Sequence, residues 1–112
     1  MSQITTHVLN TSKGRPAQGI TIKLQEYKDQ QWFTIGEGIT NSDGRVSDLL
    51  NGDTLLDPGS YRMHFQLKSY FEQTGDPCFY PEANIIFNIA DDQHYHIPLL
   101  LSPFGYSTYK GS

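Results

Sequence analysis

Turn-forming residues interrupt this chain so often that no long helix fits between them. Pro16-Ala-Gln-Gly19, Lys28-Asp29, Asn41-Ser-Asp-Gly44 and Asp57-Pro-Gly59 supply the side chains that preset or tolerate turn dihedrals. The runs between them are short and alternate apolar with polar residues, the period of a strand. The pattern predicts strands near residues 4–10, 19–27, 31–40, 45–48, 59–67, 82–90, 94–102 and 104–110. Residues 67–74 differ. Leu67, Tyr70 and Phe71 fall at helical i, i+3, i+4 spacing, and Gly75 and Pro77 stop the run. About eight strands and one short helix make an all-β chain, and a two-sheet antiparallel β-sandwich is the natural way to pack them.

Composition bounds the function. With 112 residues the chain is expected to form a single domain over residues 1–112. A net charge of −4 without a basic cluster argues against a nucleic-acid partner, since phosphate binding needs a positive surface. No apolar run approaches membrane-span length, and no basic segment followed by an apolar stretch opens the chain. The expectation is a cytoplasmic protein with no membrane partner. Cys78 is alone and can form no internal disulfide, so packing or assembly must hold the fold. Asn10-Thr-Ser12 matches the glycosylation pattern, but the tripeptide is common by chance.

Alternation sorts the side chains by face. Near the start, Ile4, Thr6 and Val8 share one face, and Thr5, His7 and Leu9 the other. Near the end, Tyr95, Ile97, Leu99 and Leu101 oppose His94, His96, Pro98 and Leu100. The first set of each pair reads as core. Leu9, Pro98 and Leu100 are nevertheless apolar on the outer face, and a sheet apolar on both sides is normally covered. With no spare helix available, a second subunit is the expected cover.

His7 and His96 then stand out, because imidazole is the side chain best matched to proton transfer near neutral pH. The plainer reading keeps them as separate surface histidines. Spacing alone also allows a three-histidine zinc site from His7, His94 and His96. His64, beside Met63 and Phe65, reads as structural or solvent-facing. Arg45, after the Asp43-Gly44 turn, is either simply solvated or a planar donor fork for a polar ring. Ser107 and Tyr109 share a face of the last strand, where such residues are usually plain β-formers; Asp91-Asp92 reads as a turn. No Gly-rich phosphate loop and no G-x-S-x-G elbow is present.

Thr6-His-Val-Leu-Asn10, Ser42-Asp-Gly-Arg45 and the block from His94 to Tyr109, His-Tyr-His-Ile-Pro-Leu-Leu-Leu-Ser-Pro-Phe-Gly-Tyr-Ser-Thr-Tyr, resemble the 5-hydroxyisourate hydrolases. These are the transthyretin-related enzymes of urate breakdown, and the resemblance spans essentially the whole chain. It implies that His7, Arg45, His96 and Ser112 are catalytic and that Tyr109 joins them in binding substrate. The family's closing Tyr-Arg-Gly-Ser falls on Tyr109, Lys110, Gly111 and Ser112, with Lys110 in place of Arg. Lys keeps the charge and loses the bidentate fork. The resemblance further implies a homotetramer with active sites at the dimer–dimer interface, and neither metal nor organic cofactor. The implied reaction opens the six-membered ring of 5-hydroxyisourate at a cyclic amide, giving 2-oxo-4-hydroxy-4-carboxy-5-ureidoimidazoline on the way to allantoin.

In the expected mechanism a neutral imidazole of the His7/His96 pair draws a proton from water as it attacks the ring carbonyl. Arg45 steadies the developing oxyanion, Ser112 helps orient the reacting groups through its hydroxyl or terminal carboxylate, and Tyr109 shapes the floor of the site. Two other classes compete: a transthyretin-like carrier that binds a small aromatic ligand without turnover, and a secreted β-sandwich interaction domain. The histidines and Ser112 separate the first from an enzyme, because a passive apolar channel needs neither.

Overall fold

The computed structural model describes residues 2–112, so Met1 lies outside the described residues. Nine strands and one helix follow in order: β1 (Ile4–Asn10), β2 (Arg15–Pro16), β3 (Thr21–Lys28), β4 (Gln31–Ile39), β5 (Arg45–Val46), β6 (Gly59–Gln66), α1 (Lys68–Thr74), β7 (Glu82–Ile89), β8 (Tyr95–Ser102) and β9 (Gly105–Thr108). They form two sheets. One runs β2-β1-β8-β9, with β5 also paired to β1; the other runs β4-β3-β6-β7. This is the expected sandwich with its one short helix, and it adds the two-residue β2 to the expected strands.

One pairing departs from expectation. β1 and β8 run parallel, Ile4 opposite Tyr95 through Asn10 opposite Leu101, so the first sheet is mixed rather than wholly antiparallel. A parallel pair cannot be joined by a hairpin and needs a crossover. Here most of the chain, including the whole second sheet, forms that connection. Side chains tie the pair as well as the ladder does: the buried Thr6 hydroxyl donates to the Ile97 carbonyl at 2.6 Å.

The core follows the alternation. Ile4, Val8, Leu99 and Leu101 from the first sheet meet Ile22, Leu24, Met63 and Phe65 from the second, all essentially inaccessible to water. Burying each such side chain contributes about 1.5–3 kcal/mol before chain entropy is counted. α1 caps this core with Tyr70 and Phe71, and Gly75, at φ 76°, ends the helix in the left-handed conformation with its N–H on the Phe71 carbonyl. Asn10 is fully buried, donates to the Tyr70 hydroxyl at 2.9 Å, and accepts from Ser12 and Lys13. It is a structural hinge pin between β1 and α1, inaccessible to glycosylation in the folded chain. Of the apolar residues expected to need cover, Pro98 is already buried within the chain, beside its register partner His7; Leu9 and Leu100, also partners across β1 and β8, stay half-exposed.

Candidate active site

The outer face of the β1–β8 pair carries the histidines. His7 Nδ1 lies 2.6 Å from His96 Nε2, with the two rings 4.8 Å apart and inclined by 19°. His96 Nδ1 is 2.7 Å from the Thr5 hydroxyl, and that same oxygen is 2.8 Å from His94 Nε2. Parallel register produces this arrangement by setting Thr5 directly beside His96. Two nitrogens sharing one zinc stand roughly 3.3 Å apart at the usual Zn–N bond length. The closer His7–His96 approach is that of a shared proton. Among the described residues no group of three or more His, Cys, Asp or Glu side chains is arranged to hold a metal ion.

The electrostatics favour neutral rings. Burial, then the charges of His7, Arg45 and His94, hold His96 down to about 4, and burial with Arg45 lowers His7 below its ordinary value. Near neutral pH both imidazoles are therefore uncharged and keep a lone pair.

Arg45 reaches the pair through its turn. Asn41 Oδ1 accepts the N–H groups of Asp43 and Arg45, and Gly44 takes φ 72°, a left-handed position that glycine occupies freely. A Cβ on Gly44 would also come within 2.5 Å of the Val8 carbonyl oxygen. The turn is thus pressed onto β1, which places Arg45 opposite His7 in register. A cavity of about 230 Å³ opens here, lined by Thr5, Thr6, Arg45, Val46, Ser47, His94, His96 and Ser112.

Ser112 arrives by a close backbone approach. Gly111 forms a bridge with His96, donating its N–H to the His96 carbonyl at 2.8 Å, and a Cβ there would lie 2.7 Å from the imidazole Cδ2. Gly111 thus serves as a side-chain-free surface against the ring. Lys110 fixes the other side of the tail, its ammonium 5.5 Å from the Tyr95 ring centroid. The Tyr95 hydroxyl in turn donates to Asp91 at 2.8 Å. Lys110 thus sits over an aromatic face, and its charge also helps lower the pKa of the Asp91 carboxyl beside it.

Of the candidate residues, Arg45, His96 and Ser112 line this cavity, and His7 adjoins it through its contact with His96 and its register pairing with Arg45. Tyr109 stands apart from the small cavity: it is exposed and lines a larger one of about 450 Å³, with His96 on the wall between the two.

Comparison with known proteins follows the same lines. Residues 4–111 match the model of the HIUase/Transthyretin family. The chain belongs to that family. It is 42% identical to mouse 5-hydroxyisourate hydrolase over 114 residues, covering 99% of this chain and 96% of the mouse protein. The fold of this family member superposes on sea bream transthyretin in complex with thyroxine with a TM-score of 0.91, at 29% identity, covering 98% of this chain and 95% of that one. The 5-hydroxyisourate hydrolase of Klebsiella pneumoniae gives a TM-score of 0.83 at 33% identity, covering 97% and 98%.

Sequence reasoning did not single out Thr5. Alternation lists it on the His7 face, but a threonine on a strand is an ordinary β-former, and only the parallel register brings its hydroxyl between two imidazoles. His94, considered only as a metal ligand, enters through the same hydroxyl.

Proposed function

We propose that this chain is a 5-hydroxyisourate hydrolase, opening the six-membered ring at a cyclic amide in urate breakdown. The observation that carries the reading is the 2.6 Å contact between two neutral imidazoles beside Arg45 and Ser112. Hydrolysis of a cyclic amide needs a base for water, a positive group for the oxyanion and a rigid frame. His7 is the better base of the pair, because His96 is held lower. With His7 Nδ1 on His96, its Nε2 is left to take the proton from water. Arg45 carries charge at the rim of the cavity, where the carbonyl oxygen becomes negative. Ser112 orients the reacting groups from the tail. Tyr109, exposed beside the neighbouring hollow, contributes to the substrate wall in the assembled protein. A ligand carrier of the same fold has no use for paired neutral imidazoles or a threonine bridging two of them.

The assembled form we propose is a homotetramer with its active sites between dimers. Leu9 and Leu100 support it, as half-exposed apolar residues on the histidine face. The open edges β7 and β9 support it too, with Ile86 and Tyr106 exposed along them. No helix among the described residues is long and apolar enough to cross a membrane, and a cytoplasmic setting suits the unpaired Cys78. The deciding assay adds the protein to freshly oxidised urate and follows the loss of 5-hydroxyisourate absorbance. Decay well above the spontaneous rate is expected. Decay at the spontaneous rate, together with saturable binding of thyroxine, would replace the hydrolase with a carrier.

A further inference from the structure

The hydrogen bonds around Thr5 form an unbroken line from His7 through His96 and Thr5 to His94. Each link needs one donor and one acceptor, and a neutral imidazole supplies one of each. With the Thr5 hydroxyl spending its one proton within the line, the tautomers are locked together in two self-consistent states. In one, His7 Nδ1–H donates to His96 Nε2, His96 Nδ1–H donates to Thr5, and the Thr5 hydroxyl donates to His94 Nε2. In the other every donor is reversed: His94 Nε2–H donates to Thr5, Thr5 to His96 Nδ1, and His96 Nε2–H to His7 Nδ1. The ends differ in setting. His7 and His96 are half-buried, whereas His94 is exposed and also lines a second hollow with Asp92.

We propose that Thr5 and His94 extend the His7–His96 pair into a proton relay whose outer end, His94, exchanges protons with solvent. The inference rests on the hydrolase reading for its chemistry. When water attacks, its proton bonds to His7 Nε2. The Nδ1 proton of His7 passes to His96 Nε2, the Nδ1 proton of His96 to the Thr5 oxygen, the Thr5 proton to His94 Nε2, and the Nδ1 proton of His94 leaves to water. Each N–H or O–H bond broken is matched by one formed, and all four residues end neutral in the reversed state. Collapse of the tetrahedral intermediate then needs a proton on the departing ring nitrogen. The line supplies it by running backward, which restores the starting tautomers. Arg45 beside His7 is the fixed positive charge facing the inner end, and it favours moving the proton away from the pair. Asp92 is the acidic group that shares the second hollow with the outer end. Thr5 touches no reacting atom in this scheme and is a positioning and relay residue.

Three variants and a substrate-free measurement test the relay. Thr5→Val keeps the shape and removes the hydroxyl; Thr5→Ser restores it. His94→Gln keeps a hydrogen-bonding group that cannot pass a proton through. Thr5→Val and His94→Gln are expected to lose about ten- to a hundredfold in kcat with KM little changed, the scale of a lost proton-transfer group. Thr5→Ser should recover most of that loss, and added imidazole should raise the rate of His94→Gln in proportion to its concentration. Without substrate, imidazole ¹⁵N shifts in the intact protein should show His94 and His96 changing together as the pH is varied, and this coupling should vanish in Thr5→Val. Wild-type kcat in both Thr5→Val and His94→Gln, or uncoupled ¹⁵N titrations in the wild type, overturns the relay. Coupled ¹⁵N shifts in a protein that leaves 5-hydroxyisourate untouched would instead support the relay and reject the substrate.

Discussion

At the scale of single residues, the depressed pKa values of His7 and His96 have two consequences of the same sign. Either imidazole replaced by Asn should cost about two to four decades in kcat with the fold retained. Because the base, His7, works when neutral and burial lowers its pKa, the wild-type rate should hold from pH 8 through the ordinary histidine midpoint of 6.5 and fall only below it. A rate already halved at pH 6.5 would contradict the burial that depresses these groups. Stability follows by linkage. The unfolded chain binds protons at histidines with ordinary pKa values, the folded chain only at lower pH. The contribution is therefore complete above about 6.5 and is lost as pH falls toward about 4. The urea midpoint should accordingly drop between pH 7 and pH 5, and drop less in His96→Asn. The half of this site that a sequence makes legible is the half written in unusual residues: imidazoles two apart on a strand pattern, an arginine after an Asp-Gly turn. Thr5 is written in a common residue, and its role exists only in register.

At the scale of elements, alternation located strands and faces well because period two is a local property. The expected limits of β1 coincide with those observed, and the helix begins one residue late, at Lys68, with Leu67 at its N-cap. Direction is not local. Nothing in the alternation of β1 or β8 says whether they run parallel, and the antiparallel expectation failed there. β2 escaped notice because two residues carry no period and one of them is Pro16, which lacks a ladder N–H. β9 stops at Thr108, and after two unpaired residues the tail rejoins β8 in the same antiparallel register, Gly111 opposite His96 as Thr108 is opposite Leu99. That return is testable at Gly111. In Gly111→Ala the new methyl would press on the His96 ring, so kcat should fall by about a hundredfold, the cost of a small misplacement at a reacting group. The melting temperature should move little, since the tail lies outside the core. Wild-type turnover by this variant would mean that the bridge does not position the site.

At the scale of the whole molecule, the sandwich buries its core without help, but its histidine face and its β7 and β9 edges do not finish themselves. Leu100→Glu sets a charge between Leu9 and any subunit that covers them. The wild type should scatter light as a tetramer, and the variant should run as smaller species with activity lost in parallel. A fully active variant of unchanged size would remove Leu100 from the interface.

The parallel pairing of β1 with β8 also sets a timetable. Thr6 and Ile97, bonded across the two strands, are 91 positions apart. Closing a loop of that size costs on the order of 4 kcal/mol of chain entropy before any contact repays it. During synthesis β1 leaves the ribosome early and waits, its outer-face histidine unpartnered, until nearly every other strand has followed. The second sheet can assemble in the interval, from hairpins between near neighbours. The docking of β8 is then the step that closes the first sheet and assembles the imidazole line together. Nascent or prematurely terminated chains thus carry no half-built catalyst, and the onset of turnover reports completion of the fold.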